Sequence, residues 1–487
     1  MENDLDKAID LAGHSRHNIF ILFVSSFIHL AAVLDLLGYC VTVPAASCDL
    51  QLGLLEISLL TSVPFAGYLS ALPWGYYADT HGRRKAILVS ATVGSTIAVI
   101  TSFSPSFQVM LILKLIGCSF STASITISIT YLGECTSSAY RNKYIFIMNS
   151  FNLASDFICY ALAYIILRQD FKVDIPFLSI TYRPWRLFAL VMALMLAFGA
   201  LMMFFLHESP KFLANKGRID EALHVMKTAY GVSGTDEDLV LKSLIAADKK
   251  QIRTNMSFWN SVVEQTVPIF RPPLVLRTIQ LFFLMSVCSS TNNVFFMWFP
   301  TMVNSFYSSL SDTQSSFCEK VVTNLTNSDV SLNDTCDDTI SNNTIYSGMA
   351  FSTFFTVINY ASSRLATWRK IVLMTTLVIS GLSAVLVDLI YQPVVSMMFF
   401  IMIQLSGILV GNVASYFVDL YPTSYRGLGT SLGLMCARIT CLTGVNIVGA
   451  TIVNHCKMTF FGWAIFVFCG VAVAWFLPSD KKKQLPT

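Results

Sequence analysis

Long apolar segments alternate with short polar segments along almost the whole chain of 487 residues. A helix needs about 20 apolar residues to cross a bilayer, and most of these segments approach or exceed that length. The pattern therefore predicts an all-α polytopic membrane protein. We predict twelve transmembrane helices, at about residues 18–40, 55–77, 86–103, 107–131, 144–167, 186–206, 275–299, 345–361, 371–391, 394–416, 428–450 and 459–478. The segment 345–361 is the weakest of these, because it is short and rich in serine.

Composition supports the membrane class and excludes several others. Hydrophobic residues make up 54% of the chain and charged residues 13%, which is not the composition of an ordinary soluble protein. The net charge of +3 is spread over loops and predicts no nucleic-acid partner. No catalytic, metal-ligand or phosphate-loop pattern stands out, so we expect no enzyme, cofactor or metal site. The first apolar segment is too long for a cleaved signal peptide and is interpreted as a membrane span.

Basic residues fall mostly in alternate loops. Loops rich in lysine and arginine stay in the cytoplasm. The side of the membrane that carries most of the basic loops is therefore predicted to be cytoplasmic and to hold both termini. The basic residues on it are Arg83, Arg84, Lys85, Arg141, Lys143, Arg364, Arg369, Lys370, Arg426, Lys481, Lys482 and Lys483. The opposite short loops carry little beyond Arg168, Lys172 and Arg183.

The chain also repeats itself. A gapless shift of 285 residues aligns 131–141 with 416–426, and aligns Arg84 and Lys85 with Arg369 and Lys370. Two matches at one offset predict two homologous six-helix halves related by an axis along the membrane normal. The predicted domains are a cytoplasmic tail (1–17), a first half (18–206), a cytoplasmic linker (207–274), a second half (275–478) with an outer loop (305–344), and a cytoplasmic tail (479–487).

The turn between the second and third predicted helices, residues 75–85, reads GYYADTHGRRK. Its glycines let two helix ends approach, and its arginines can reach carboxylates on adjacent helices. A plain positive-inside anchor would explain the basic residues but not the paired glycines and Asp79. The G-x-x-x-D-x-x-G-R-[RK]-[RK] spacing resembles the signature of the major facilitator superfamily of transporters. This resemblance implies two helical bundles with substrate bound between them.

Two further stretches narrow the resemblance. Residues 207–213, HESPKFL, resemble the E-S-P-R-[FY]-L segment of sugar and organic-cation porters. Residues 298–300, WFP, and the large loop that follows them are similar to the synaptic vesicle glycoprotein 2 family. The chain departs from that family in the fourth helix, where Lys114 replaces the usual arginine and most glycines are replaced. In the second half, the basic turn that the repeat predicts has lost the aspartate and the glycines, and Arg364 stands where Asp79 would map. We therefore carry over no substrate from the resemblance.

Two functions fit these observations. The first is secondary-active or facilitative transport of a small polar or charged organic solute by alternating access. Its cytoplasmic gate would consist of charges that pair when that side closes: Asp79, Arg83, Glu134, Arg141, Asp419 and Arg426. The alternative is a non-transporting membrane glycoprotein that acts through protein partners, bound by the linker or the outer loop. The degraded second basic turn favours this alternative, and the intact first turn favours transport.

Ionisable and amide groups inside predicted spans are the candidates for a substrate cavity. A charge inside a membrane costs a few kcal/mol, so such groups usually face a cavity or pair with each other. The candidates are Asn149, Asn152, Asp156, Asn292, Asn293, Gln404, Asn412 and Arg438. Each amide could instead make only an interhelical hydrogen bond. That alternative is weaker for Asp156 and Arg438, because a lone charge near the midplane needs a reason.

Asp35 and Lys114 are predicted to form a buried ion pair that couples proton movement to transport. Asp35 lies roughly 8 Å below the outer end of the first span, and Lys114 roughly 10 Å below the same surface, at 1.5 Å per residue. The family resemblance implies a similar pairing in proton-coupled sugar porters. The alternative is a static pair in which each charge neutralises the other.

The outer loop contains three acceptor sequons, at Asn324, Asn333 and Asn342, which we predict to be glycosylated. A sequon at Asn255 lies in the predicted cytoplasmic linker and should stay unused. Four cysteines lie on the oxidising side, Cys48, Cys318, Cys336 and Cys456, and allow three connectivities. Cys318–Cys336 is the most local pairing and is the candidate disulfide. Glycosylation implies the secretory route, so the plasma membrane and vesicle membranes both remain open.

Overall fold

Helices make up most of the structure, as the apolar segments predict. The computed structural model describes residues 9, 16–178, 180–230, 266–272, 274–308, 315–330, 340–364, 368–421 and 426–478. The helices up to the centre of the chain are α1 Arg16–Leu37, α2 Tyr39–Ala46, α3 Leu54–Gly67, α4 Ala71–His81, α5 Arg83–Ser102, α6 Phe107–Cys135, α7 Ser138–Ile166, α8 Pro184–Phe204, α9 Pro210–Asn215 and α10 Ile219–Tyr230. Those after it are α11 Val275–Ser308, α12 Phe317–Val330, α13 Asn342–Arg364, α14 Arg369–Leu389, α15 Pro393–Ile403, α16 Leu409–Leu420 and α17 Arg426–Trp475.

Ten helical stretches in the described residues are long and apolar enough to cross a membrane. The last of them, Gly429–Trp475, has 47 residues and contains one non-helical residue, His455 (φ −141°, ψ 43°). It therefore corresponds to the last two predicted spans, which meet at a kink and not at a loop. The helix α13 is 23 residues long but more polar than the others, as its sequence indicates. Twelve spans would require counting the kinked stretch twice and adding α13, so the number twelve stays a prediction.

Short 3₁₀ segments interrupt two of the spans. Tyr68–Ser70 separates α3 from α4, and Gln404–Ile408 separates α15 from α16. A 3₁₀ turn has poorer hydrogen-bond geometry than an α-helix, and inside a helix it often marks a functional hinge. Both interruptions lie beside candidate cavity residues.

A small β-hairpin departs from the all-α prediction. Strands β1 Val173–Ile175 and β2 Ile180–Tyr182 pair antiparallel between α7 and α8, with Val173 opposite Tyr182. The hairpin lies in one of the short predicted outer loops and does not alter the helical class.

The two halves meet along a seam at which α7 packs against α13 and α3 packs against α17. Gly449 on α17 is packed so closely on α3 that an added Cβ would lie 2.4 Å from the Cβ of Ser58. We call the end that carries the turn Gly82, Arg83 and Arg84 the basic-turn end. The opposite end, which carries Cys318 and Cys456, is the disulfide end. Ser58 and Gly449 lie towards the disulfide end, so the halves are in tight contact there.

Only part of the predicted linker is described. The helices α9 and α10 follow the first half, and residues 231–265 lie outside the described residues. The same holds for the tail 479–487 and for most of residues 1–15. The domain boundaries and the assignment of each end to a side of the membrane therefore stay predictions.

Candidate functional site: the basic turn and the interior between the halves

The basic turn is built around Arg83, the first residue of α5. Its Nη2 lies 2.8 Å from Asp79 Oδ1, and its Nε donates to Glu134 Oε1 at 3.0 Å. Its Nη1 donates to the backbone oxygen of Ala78 at 3.2 Å, and its guanidinium lies 5.1 Å from the ring centre of Phe212. One arginine thus joins α4, α6 and α9. The three predicted gate residues Asp79, Arg83 and Glu134 are in direct contact.

Glu208 completes this cluster, and sequence analysis did not single it out. Its carboxylate accepts hydrogen bonds from the backbone N–H of Arg84 at 2.9 Å and of Lys85 at 3.4 Å. These N–H groups belong to the first turn of α5, where they have no partner within the helix and where the helix dipole favours a negative charge. Gly82 precedes that turn with a φ of +109°, and an added Cβ would lie 2.4 Å from Glu208 Oε2. The HESPKFL resemblance was the available signal, but it did not reveal this contact.

His207, next to Glu208, is held against α6 through its backbone. Its carbonyl oxygen accepts a hydrogen bond from the Tyr131 hydroxyl at 2.6 Å. Burial, together with the positive charges of Arg84 and His224, holds the pKa of His207 below its ordinary value. A histidine in this setting favours its neutral form, which adds no further positive charge beside Arg84.

The remaining predicted gate residues are less well defined. The guanidinium of Arg141 donates to the backbone oxygen of Thr136 at 3.5 Å. Asp419 lies near the end of α16 and Arg426 begins α17, but the side chains of both lie outside the part of the structure that is described. The contacts given above for Arg83 are with residues of the first half and with Phe212, at the start of the linker. The proposed contribution of the second half to a gate stays a prediction.

Asp35 on α1 and Lys114 on α6 form the ion pair that the sequence predicts. Lys114 Nζ lies 2.8 Å from Asp35 Oδ1 and also donates to the backbone oxygen of Asp35 at 2.7 Å. Ser121 Oγ donates to Asp35 Oδ2 at 3.0 Å, and the Lys114 ammonium lies 4.6 Å from the ring centre of Tyr39. Each charged side chain is only 5% exposed. Both carboxylate oxygens are therefore satisfied, which stabilises the charged pair in this conformation.

Asp156 and Arg438, the two lone charges of the sequence, have no ion-pair partner within the described residues. Asp156 is a half-buried residue of α7 and belongs to the first half. Arg438 is a half-buried residue of α17, and its guanidinium lies 4.0 Å from the ring centre of Tyr68. Because Tyr68 belongs to the first half, this cation–π contact crosses the seam.

The predicted cavity amides divide into two groups. Asn293 donates to the backbone oxygen of Ser289 within its own helix at 2.8 Å, which fits the structural alternative. Asn152 is half-buried and Asn149 is exposed, so their place in a cavity stays a prediction. Asn292, which packs against Gly407, and Asn412 are half-buried.

Gln404 differs from the other amides. It is fully buried at the start of the 3₁₀ segment of the second half, and neither its amide nitrogen nor its oxygen has a hydrogen-bond partner in the described part of the chain. Ser406, on the same segment, also has a buried hydroxyl without a partner. A buried amide without partners costs about 1–3 kcal/mol, which calls for an explanation.

The predicted Cys318–Cys336 disulfide is wrong. Cys318 is bonded to Cys456 instead, across a sequence separation of 138 residues. The reason is the position of α12, which folds back onto the end of the second half. There Asp388 Oδ1 accepts a hydrogen bond from the backbone N–H of Cys318 at 2.8 Å, and Asp388 Oδ2 lies 3.4 Å from Lys457 Nζ. Cys48 is also disulfide-bonded, and Cys336 lies outside the described residues.

Of the three predicted glycosylation sites, Asn324 lies within α12 and Asn342 is an exposed residue at the start of α13. Asn333, together with the control sequon at Asn255, lies outside the described residues. Glycosylation at these positions stays a prediction.

A second ion-pair network at the disulfide end was also missed. Asp49 lies 2.9 Å from Arg186 Nη2 and 3.3 Å from Arg183 Nε. Arg186 is 2% exposed, and its Nη1 donates to the backbone oxygens of Ser102 and Ser104. Arg186 therefore joins the start of α8 to the segment after α2 and to the end of α5. In the sequence it was only the first residue of a predicted span.

Two pseudo-symmetric helical bundles, a basic turn and charged residues within the spans define the class of polytopic membrane carriers. The chain belongs to the Major Facilitator Superfamily, whose family profile matches residues 22–318. This confirms the superfamily resemblance and the multi-pass membrane class.

Curated relatives support the narrower resemblance. The putative transporter svop-1 of Caenorhabditis elegans is 26% identical over 227 residues, which is 46% of this chain and 41% of the relative. Synaptic vesicle glycoprotein 2B of Mus musculus is 24% identical over 272 residues, 53% of this chain and 39% of the relative. The matches thus span less than half the length of these relatives.

Solved structures support the fold over the whole chain. The partially occluded inward-open conformation of the xylose transporter XylE from E. coli superimposes with a TM-score of 0.66 at 15% identity, over 97% of this chain and all of the other. The D-xylose-proton symporter superimposes with a TM-score of 0.64 at 14% identity, over 96% and 99%. At this identity the likeness establishes the fold alone.

Proposed function

We propose that this protein carries a small polar or charged organic solute across a membrane by alternating access. The observation that carries the proposal is a set of polar groups along the spans that lack a hydrogen-bond or ion-pair partner in the described residues. Gln404 is buried with an unpartnered amide, and Asp156 and Arg438 have no ion-pair partner in the described residues. Groups of this kind inside a membrane are expensive and usually serve a substrate pathway. The matches to transporters of the same superfamily support this function over the non-transporting alternative.

The conformation supports the alternating-access part of the proposal. The halves are packed tightly at the disulfide end, where Ser58 meets Gly449. We propose that this state is closed at the disulfide end and that the basic-turn end is the cytoplasmic one, because it carries the basic loops. Rocking of one half against the other around a central site would then expose the solute to each side in turn.

Arg83 is the proposed centre of the gate. Arg83 contacts Asp79, Glu134 and Phe212, and Glu208 accepts a hydrogen bond from the first turn of α5, so the cluster holds α4, α5, α6 and α9 together at the basic-turn end. This cluster would favour one orientation of the first half, and loss of a few kcal/mol of interaction is enough to redistribute two such states.

The proposed role of Asp35 and Lys114 is proton coupling. Protonation of Asp35 would release Lys114 and its hydrogen bond from Ser121, and so free α1 to move against α6. A static pair would contribute to folding and leave transport independent of pH.

Reconstitution into proteoliposomes tests the function directly. Purified protein should take up at least one member of a broad panel of labelled sugars, amino acids, organic cations and organic anions. Asp156→Asn and Arg438→Gln should each reduce that flux at least tenfold while the protein stays folded. The matched control is Ser150→Ala, which removes an exposed hydroxyl that bonds the backbone oxygen of Phe146 within the same helix as Asp156, and which should leave the flux unchanged. No flux from the folded wild type for any solute, with no solute raising its unfolding temperature, would overturn the proposal.

A further inference from the structure

A polar cavity of about 410 Å³ opens at the disulfide end, where the two halves meet. The first half lines it with Ala45, with the segment after α7 and with the start of α8. The second half lines it with Ile340, Ser341 and Asn342, just before and at the start of α13. None of the predicted gate or substrate residues belongs to it. The volume is in the range of about 300–1,000 Å³ that usually holds one small molecule.

The charge of this cavity is predominantly positive. Arg168, Lys172 and Arg183 line it, against the single carboxylate of Asp170. Asp49, behind the wall, contacts both Arg183 and Arg186. Neither Arg168 nor Lys172 has an ion-pair partner in the described part of the chain. The guanidinium of Arg168 lies 4.8 Å from the ring centre of Tyr164, which holds it at the seam.

We propose that this cavity binds a small organic anion carrying a carboxylate or a phosphate group. Arg168 and Lys172 supply the charge, and guanidinium groups pair with both kinds of oxyanion. Ser341 on the facing half supplies an uncharged hydrogen-bond donor. Phe171 and Trp185 provide apolar walls for the remainder of the ligand.

The anion would also hold the disulfide end closed. Its two sets of contacts come from different halves, and they face each other only while the seam is closed. Tyr346 on α13 donates a hydrogen bond to Tyr164 on α7 at 3.3 Å beside the cavity, which marks that closed contact. A ligand that binds one of two states more tightly shifts the population towards it. This regulatory consequence rests on the proposed transport function, whereas the binding itself does not.

Binding is tested on the purified full chain with succinate, citrate and pyrophosphate as probes, at constant ionic strength set with chloride. At least one probe should raise the unfolding temperature in a saturable manner. Arg168→Gln combined with Lys172→Gln should weaken that binding at least tenfold, and both residues are exposed, so the variant should fold. Asp170→Asn should strengthen it severalfold. Lys216→Gln, an exposed cation near the basic-turn end, is the matched control and should change nothing.

Two results would overturn the site: no probe stabilising the wild type beyond chloride, or equal stabilisation of the double variant. A repeat in nanodiscs with and without phosphatidylserine separates a free anion from a lipid headgroup, since a headgroup would compete with the probes only in the anionic discs.

The rate of disulfide formation in a Ser58→Cys/Gly449→Cys variant reports seam closure and should rise with the bound probe. Probe binding and faster cross-linking in a protein that carries no solute would leave the site standing and reject the transport function. Transport that is unaffected by a bound probe would reject the regulatory role.

Discussion

At the scale of single residues, Gly82 is a position of the basic turn where a side chain should not fit. Gly82→Ala would place a Cβ 2.4 Å from the Glu208 carboxylate at a φ of +109°, where side chains are disfavoured. We expect the variant to lose more than about 1 kcal/mol of unfolding free energy. The measurement is thermal unfolding of the purified protein in detergent. Gly75→Ala is the matched control, because nothing lies within 4 Å of its added Cβ. Equal stability of the two variants would contradict the packing described for Glu208.

The buried pair Asp35–Lys114 gives a second residue-scale prediction. Asp35→Asn and Lys114→Met should each destabilise the protein by about 3–5 kcal/mol, because each leaves a buried charge without its partner. The double variant removes both charges and should be more stable than either single variant. Thermal unfolding measures all three. If the pair also couples protons to transport, the double variant should transport without the pH dependence of the wild type. Single variants that fold and transport normally would reject both the ion pair and its role in proton coupling.

Sequence analysis found some residues of the site and missed others for a physical reason. Asp35 and Lys114 were recognisable because each charge stands inside an apolar span. Glu208 and Arg186 lie at the ends of spans, where charged residues are ordinary. Their importance comes from partners far away in the chain, the backbone of Arg84 and the carboxylate of Asp49. Only three-dimensional structure brings those partners together.

At the scale of elements, the Cys318–Cys456 bond joins α12 to α17. Cys456→Ser should free Cys318 and lower stability by about 2–4 kcal/mol, since the bond closes a loop of more than a hundred residues. Cys469→Ser, at an exposed free cysteine, is the control and should have no effect. Mass spectrometry of unreduced digests should detect a linked peptide pair that contains Cys318 and Cys456. A Cys318–Cys336 peptide in its place would contradict the structure.

The helices themselves were predictable because a chain inside a bilayer must satisfy its backbone hydrogen bonds locally. The connections were less so. The predicted loop between the last two spans is a single kink at His455, since the polar residues there continue the helix. The short sequence separation favoured a disulfide between Cys318 and Cys336. In the structure, α12 begins with a capping box formed by Ser316 and Glu319. Its first turn then packs against Asp388, which accepts a hydrogen bond from the backbone of Cys318. That tertiary contact outweighs proximity in the chain.

At the scale of the whole molecule, the orientation in the membrane has a direct test. Replacement of Asn324, Asn333 and Asn342 by Gln should raise electrophoretic mobility by the mass of up to three glycans, if the disulfide end faces the secretory lumen. Asn255→Gln is the control and should leave mobility unchanged, because the linker is predicted to be cytoplasmic. Treatment of the wild type with a glycosidase should reproduce the shift. A glycan on Asn255 would mean that the positive-inside assignment is inverted.

The seam between the halves gives the last prediction. An added Cβ on Gly449 of α17 would lie 2.4 Å from the Cβ of Ser58 on α3, closer than the Cβ atoms of a disulfide, which are about 3.5–4.5 Å apart. Cysteines at both positions should therefore form a disulfide once the two helices move apart by roughly 1 Å. That bond would join the two halves at the disulfide end and hold the protein in the state described above. Because alternating access requires this end to open, oxidation should abolish solute flux in proteoliposomes, and a reductant should restore it. The two single-cysteine variants control for the substitutions and should transport in both conditions. Flux that persists through the cross-linked protein would show that the halves need not separate here, and alternating access about this seam would be wrong.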